Sequence, residues 1–151
     1  MKSNRLISLI IFLLLVTPLF PQEQVIRIIA NADINETVIT SETVRSIFLG
    51  KKVKWENGDQ IIIVTLDAEA QVHEQFLKLF IKKTPYSFTN FWQIKLFTGK
   101  GVPPISFPTE EDVIHYVAAT QGAVGYISAS HSENDLENVK ILRVINYPEN
   151  G

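Results

Sequence analysis

Apolar and polar positions change their period several times along the chain. Val25 to Asn31 (VIRIIAN) is short, apolar and β-branched, which predicts a buried first strand. Thr40 or Ser41 then caps a helix in which Val44, Ile47 and Phe48 fall at i, i+3 and i+4 on one face. Gly50 stands where a helix end wants a left-handed residue, and Asn57-Gly58-Asp59 is a turn. Ile61 to Leu66 (IIIVTL) is apolar on both faces, as a strand covered on both sides should be.

Three more helices follow. The first runs from about Glu69 to Ile81, with Val72, Phe76, Leu79 and Phe80 in one stripe, and Lys82 to Pro85 close it. Ser87 or Thr89 opens the next, which ends at Gly99. Gly101-Val102-Pro103-Pro104 is a stiff connector, and Thr109 caps a helix with Glu110, Glu111 and Asp112 in its positive first turn. Ala123 to Ile127 and Val139 to Ile145 are strands. The order β-α-β-α-α-α-β-β predicts an α/β sandwich.

The first residues carry a different signal. Lys2 and Arg5 precede an apolar run, Leu6 to Val16, that Pro18 stops. That run is shorter than the ~20 residues that span a bilayer, so residues 1–22 are expected to be a signal peptide and 23–151 one domain. No A-x-A precedes Pro21 and Gln22, which leaves an uncleaved anchor as the alternative. Without Lys2 and Arg5 the basic count falls from 14 to 12 against 16 acids, a net charge of −4. An acidic domain gains nothing from a phosphate backbone, so nucleic acid is not an expected partner. The absence of cysteine removes disulfides, thiolate catalysis and Cys-based zinc sites.

One series of motifs is more specific. IFLGK stands at Ile47 to Lys51, Trp55 follows, and the strand Ile61–Leu66 runs into Asp67. LFTGKGVPP lies at Leu96 to Pro104 and TQGAVGYI at Thr120 to Ile127. From about Ile28 to Ser128 this series resembles the substrate-binding protein of phosphate ABC transporters, in the type 2 periplasmic-binding-protein class. LFTGKGVPP looks like the short, single-lobe relatives. The resemblance implies an α/β periplasmic-binding-protein-like single lobe, with a mixed sheet flanked by helices. It also implies an extracytoplasmic solute-binding role, a small anion such as phosphate as ligand, a membrane permease as partner and no cofactor.

In the family, the strand matching Ile61–Leu66 leads into Arg-Ser-Asp-Gly-Ser-Gly-Thr, which cradles phosphate with backbone N–H groups, hydroxyls and the arginine. Here the run is Thr65-Leu66-Asp67-Ala68-Glu69-Ala70-Gln71. Only Asp67 is kept. Thr65 replaces the arginine, Glu69 brings a negative charge, and alanines replace both glycines. The family's other phosphate loop belongs to a second lobe, for which residues 23–151 leave no room. Asp67, Thr65 and Glu69 are therefore the candidate ligand residues of a degenerate loop. The plainer reading makes Asp67 a helix cap and Glu69 an N-terminal helix charge. The alternative function is a ligand-free module that presents a surface to a membrane complex or another envelope protein.

Other chemistry is weakly signalled. Lys51 and Lys52 after Gly50, and Lys100 after Gly99, read as helix ends rather than phosphate loops, since no P-loop spacing surrounds them. His73, His115 and His131 read as surface or edge residues, with no H-E-x-x-H. Ser87, His115 and Asp67 lack a G-x-S-x-G context, so no enzyme is expected. Phe88, Phe91 and Trp92 read as core or groove residues, or as a patch for a partner. The basic run and apolar core at the start predict export: intact-mass measurement should find an extracytoplasmic chain beginning between about Pro18 and Gln24, and a full-length membrane-held chain would show an anchor instead.

Overall fold

The structure is a computed structural model in which residues 25–147 are described. The expected signal segment 1–22 lies outside them. The elements are β1 (Ile26–Asn31), β2 (Val38–Thr40), α1 (Ser41–Phe48), β3 (Ile62–Leu66) and α2 (Gln71–Phe76). They continue with α3 (Pro85–Phe97), β4 (Ile105–Phe107), α4 (Glu110–Ala119), β5 (Ala123–Ser128) and β6 (Val139–Ile145). The strands form one sheet in the order β2-β6-β1-β5-β3-β4. Only β1 runs against the others: it is antiparallel to β5 and β6, while β2 with β6, and β3 with β4 and β5, pair in parallel. This is the mixed α/β sheet expected.

Helices cover both faces. Tyr126 packs against Phe76 of α2, whereas a side chain at Gly125 would meet Val113 and Val117 of α4. Neighbouring strand residues point to opposite faces, so α2 and α4 lie on opposite sides of the sheet. The core centres on three rings: Tyr126 stacks on Phe76 at 3.8 Å and 4°, and Phe48 meets Phe76 at 4.7 Å. Trp55 is buried and its indole Nε1 donates to Gly122 O at 2.9 Å, which fastens the loop after α1 to the start of β5.

The helix ends follow from local chemistry. Thr40 Oγ1 accepts from Thr43 N and opens α1. At its other end Gly50 N donates to Ile47 O and Lys51 N to Ser46 O, both at 2.8 Å, the paired bonds of a Schellman cap. Gly50 has φ +65°, and a Cβ there would lie 2.6 Å from Trp92 Cη2, so both backbone and packing require glycine. Gly99 and Lys100 repeat the same bonds at the end of α3, to Leu96 O and Lys95 O.

Three expectations need correction. The helix placed at Glu69 begins at Gln71, and its second half, Leu77–Ile81, is wound as a π-helix that ends at Lys82 in the left-handed region. Pro85 does not close that helix: it is the first residue of α3, with Thr84 as the cap. Two three-residue strands, β2 and β4, were not predicted, because three residues are too few to show a period. They sit at the two edges of the sheet.

The strand at Ile61–Leu66 is covered unevenly. β4 pairs only with Val64 to Leu66, and Ile62 and Ile63 stay half-buried while Val64 is fully enclosed. The expectation of cover on both faces therefore fails at Ile62 and Ile63, while Ile61 is buried. Val64→Asp is expected to abolish the cooperative urea transition, because an unpaired charge in the core costs several kcal/mol. Ile63→Asp should retain a cooperative transition at lower denaturant. Equal loss in both variants would show that the two sites are equally enclosed.

Candidate functional site

β3 and β4 end side by side, and the chain turns from β3 into α2 through Asp67 to Ala70. Asp67 N donates to Phe107 O at 2.9 Å and Ala70 N to Asp67 O at 3.0 Å. The Asp67 carboxylate accepts the Ser106 hydroxyl at 2.5 Å, a bond from β4 that fixes the side chain. The cap of α2 is Ala70, with no side-chain cap bond, so Asp67 is not the side-chain cap that the plainer reading made it. Glu69 is exposed and Thr65 is buried. The three candidates are thus spread over a surface, a rim and a floor, and make no common cluster.

Beside them is a cleft of about 260 Å³ between the end of β3, α3 and the Gly101–Pro104 connector. Phe88, Trp92, Pro103 and Pro104 form apolar walls, and Thr65 and His73 also line it. No Lys, Arg, Asp or Glu lines it. A second hollow of about 370 Å³ follows the open edge of β3 at Ile61 to Ile63 and shares Trp92 and Pro103 with the first. Lys52 and Lys100, read separately as helix-end residues, both line this second hollow.

His73 departs most from expectation. It is not at the surface but 3% exposed, with Phe88 at 5.8 Å and its Nδ1 hydrogen-bonded to the Tyr126 hydroxyl. That hydroxyl also accepts from Leu66 N at 3.1 Å. Burial lowers the His73 pKa from 6.5 to about 4, against the opposing pull of Asp67 and Glu69. Burial likewise pushes Tyr126 far up. The sequence did hold a sign of this: His73 stands three, four and seven residues before Phe76, Leu77 and Phe80, on the apolar stripe of its helix. Of the other histidines, His115 is exposed and His131 Nε2 lies 3.2 Å from the Glu110 carboxylate.

No nucleophilic set forms from the residues weighed for one. Ser87 donates to Thr84 O, and Asp67 is engaged by Ser106. Among the described residues no three of His, Asp and Glu are grouped as metal ligands. The cation at the end of α1 is Lys95, whose Nζ donates to Leu49 O at 3.1 Å and lies over the Trp92 ring at 5.2 Å. Lys51, which the sequence placed in that role, is exposed.

The chain superposes on solved structures. The fold is that of phosphate-transport binding proteins. PstS from Borrelia burgdorferi superposes with a TM-score of 0.66 at 21% identity, over 84% of this chain and 49% of that one. An ABC-type phosphate transport receptor from Vibrio cholerae gives 0.63 at 18%, over 84% and 49%. A putative phosphate ABC transporter substrate-binding protein from Clostridium perfringens, with bound phosphate, gives 0.63 at 17%, over 80% and 45%. The chain spans about half the length of these structures. No family model and no curated protein matches it.

The His73 geometry sets a pH dependence. Between about pH 6.5 and pH 4 the unfolded chain binds a proton that folded His73 refuses, so the fold loses stability as pH falls through this window and keeps the full contribution above it. Urea midpoints from pH 7 to 4.5 should fall for the native chain and fall less for His73→Gln. Parallel curves would show that His73 takes up its proton inside the fold.

Proposed function

We propose that the chain is an extracytoplasmic solute-binding domain whose ligand sits in the cleft beside the end of β3. The observation that carries this reading is the cleft itself, placed where open α/β sheets take their ligands, beyond a strand's carboxyl end. The fold shared with phosphate-transport binding proteins supports the class, and the basic and apolar start of the chain supports export. Thr65 lines the cleft and Asp67 stands at its rim through Ser106. Glu69, exposed in the turn, contributes charge rather than contact.

Phosphate, which the Clostridium perfringens structure holds, fits this cleft poorly. An anion needs N–H groups or cations at its oxygens. Here no cation lines the cleft, and Asp67 and Glu69 occupy the turn before α2. A second reading rests on α3, which leaves Tyr86, Ile94 and Phe97 exposed, with Val102 beyond its end. Such a surface suits a membrane permease or another envelope protein, with the cleft serving no ligand. Calorimetry with phosphate tests the ligand. The exported chain should bind with a Kd on the order of millimolar or weaker, about −4 kcal/mol or less favourable. Ala68→Gly with Glu69→Ser should strengthen binding by removing the nearby charge and the Cβ. Micromolar binding by the unmodified chain would overturn the expectation and point to Lys52 and Lys100.

A further inference from the structure

We infer that the outward face of α3 seats the chain on an anionic membrane surface. Tyr86, Ile94 and Phe97 enter the lipid, and lysines at both ends of the helix meet the headgroups. This goes beyond the solute-binding reading and does not depend on it.

The first observation is a helix that is apolar on two sides. Phe88 and Trp92 are the buried residues of α3 and face the core. Tyr86, Ile94 and Phe97 stand at i, i+8 and i+11, which gathers them on the side turned away from it. A helix that is apolar all round is normally covered all round. Here Tyr86 is 83% exposed and Phe97 85%, with Val102 beyond the helix end at 83%. Side chains so exposed protrude from the surface instead of lining a groove. They form a stripe about 16 Å long from Tyr86 to Phe97. A fluid apolar layer closes around such a stripe, with tyrosine at the headgroup level.

The second observation is charge. The sequence holds 16 acids, yet none falls between Gln75 and Thr109, where Lys78, Lys82, Lys83, Lys95 and Lys100 lie. Lys82 and Lys83 directly precede the Thr84 cap of α3, and Lys100 follows its Thr98 end. Lys78, Lys82 and Lys100 are exposed. Glu74 of α2 lines the same hollow as Lys78, Lys82 and Lys83 but forms an ion pair with none of them. Lys95 is turned inward to Leu49 O, and Lys83 lies over the Phe91 ring at 5.4 Å. The turn with Asp67 and Glu69 stands across the cleft, which Ala68 and Thr89 both line. An apolar stripe with cations at both ends complements an anionic lipid surface. It does not complement itself: whether two copies of α3 pack parallel or antiparallel, lysine meets lysine.

The two tryptophans of the chain, Trp55 and Trp92, are both buried. The indole added by Phe97→Trp is therefore an exposed reporter of this face. In the exported chain its emission should shift to the blue, and to saturation, with vesicles of equal parts phosphatidylglycerol and phosphatidylcholine. Phosphatidylcholine alone should need at least tenfold more lipid. Adding Lys78→Gln, Lys82→Gln and Lys100→Gln should weaken the response at least tenfold, since each lysine near a membrane surface contributes about fivefold. All these positions are exposed, so the urea transition should stay in place. An equal response to phosphatidylcholine alone would overturn the inference, because charge would then play no part. No shift with either vesicle would also overturn it and leave the face to a protein partner, with the cleft and its solute unaffected. A blue shift that grows with protein concentration in the absence of lipid would overturn it in favour of a second copy of the chain.

Discussion

The buried hydroxyl of Tyr126 joins the parts of this fold that have to meet. Its ring stacks on Phe76 of α2, and its oxygen takes the backbone N–H of Leu66 and reaches His73. One residue of β5 thereby sets the end of β3 against the start of α2, the junction beside which the cleft lies. A buried hydroxyl without partners would be costly, so the three groups hold one another in place. The same burial keeps Tyr126 protonated and His73 neutral, which leaves the bottom of the cleft without charge.

A second fastening lies on the far side of Trp92. The ends of α1 and α3 close with the same backbone bonds, and the two loops that follow bring Gly50 and Gly101 against one indole ring. Lys95 spans the join, with its ammonium on the Leu49 carbonyl and over the Trp92 and Phe91 rings. The ammonium sits at the negative end of α1, where a cation is favourable. Trp92 is thus held on its benzo side by packing, while its pyrrole nitrogen is enclosed without a partner among the described residues.

The fold and the site give different answers about phosphate. The fold is shared with structures of phosphate-transport proteins, yet fold similarity carries no ligand with it. Anion recognition depends on a few groups around the oxygens, and the turn after β3 offers Asp67, Ala68, Glu69 and Ala70, with no cation and no glycine. Asp67 persists, but here it closes a turn and receives a hydroxyl from β4.

By itself the sequence determined most of the scaffold. The β-branched runs at Ile26–Asn31 and Ala123–Ser128, the cap at Thr40 and the helix ends at Gly50 and Gly99 were legible, because each depends on residues within a few positions of one another. The absence of arginine and glycine from Thr65–Gln71 was legible too, since a missing charge needs no structure to be noticed. Tertiary structure alone decided the rest. β2 and β4 are three residues each and exist only because a neighbouring strand offers hydrogen bonds, so no local pattern marks them. Ser106 reaches Asp67 across 39 positions and Tyr126 reaches His73 across 53, and no period encodes such a meeting. The cleft was hidden for the same reason: Phe88 and Trp92 show a helical face in the sequence, but only the return of Pro103 and Pro104 beside them turns that face into a wall. Burial of His73 was half-legible, since its place on the apolar stripe of α2 was there to read, while the hydroxyl that makes its burial tolerable comes from β5.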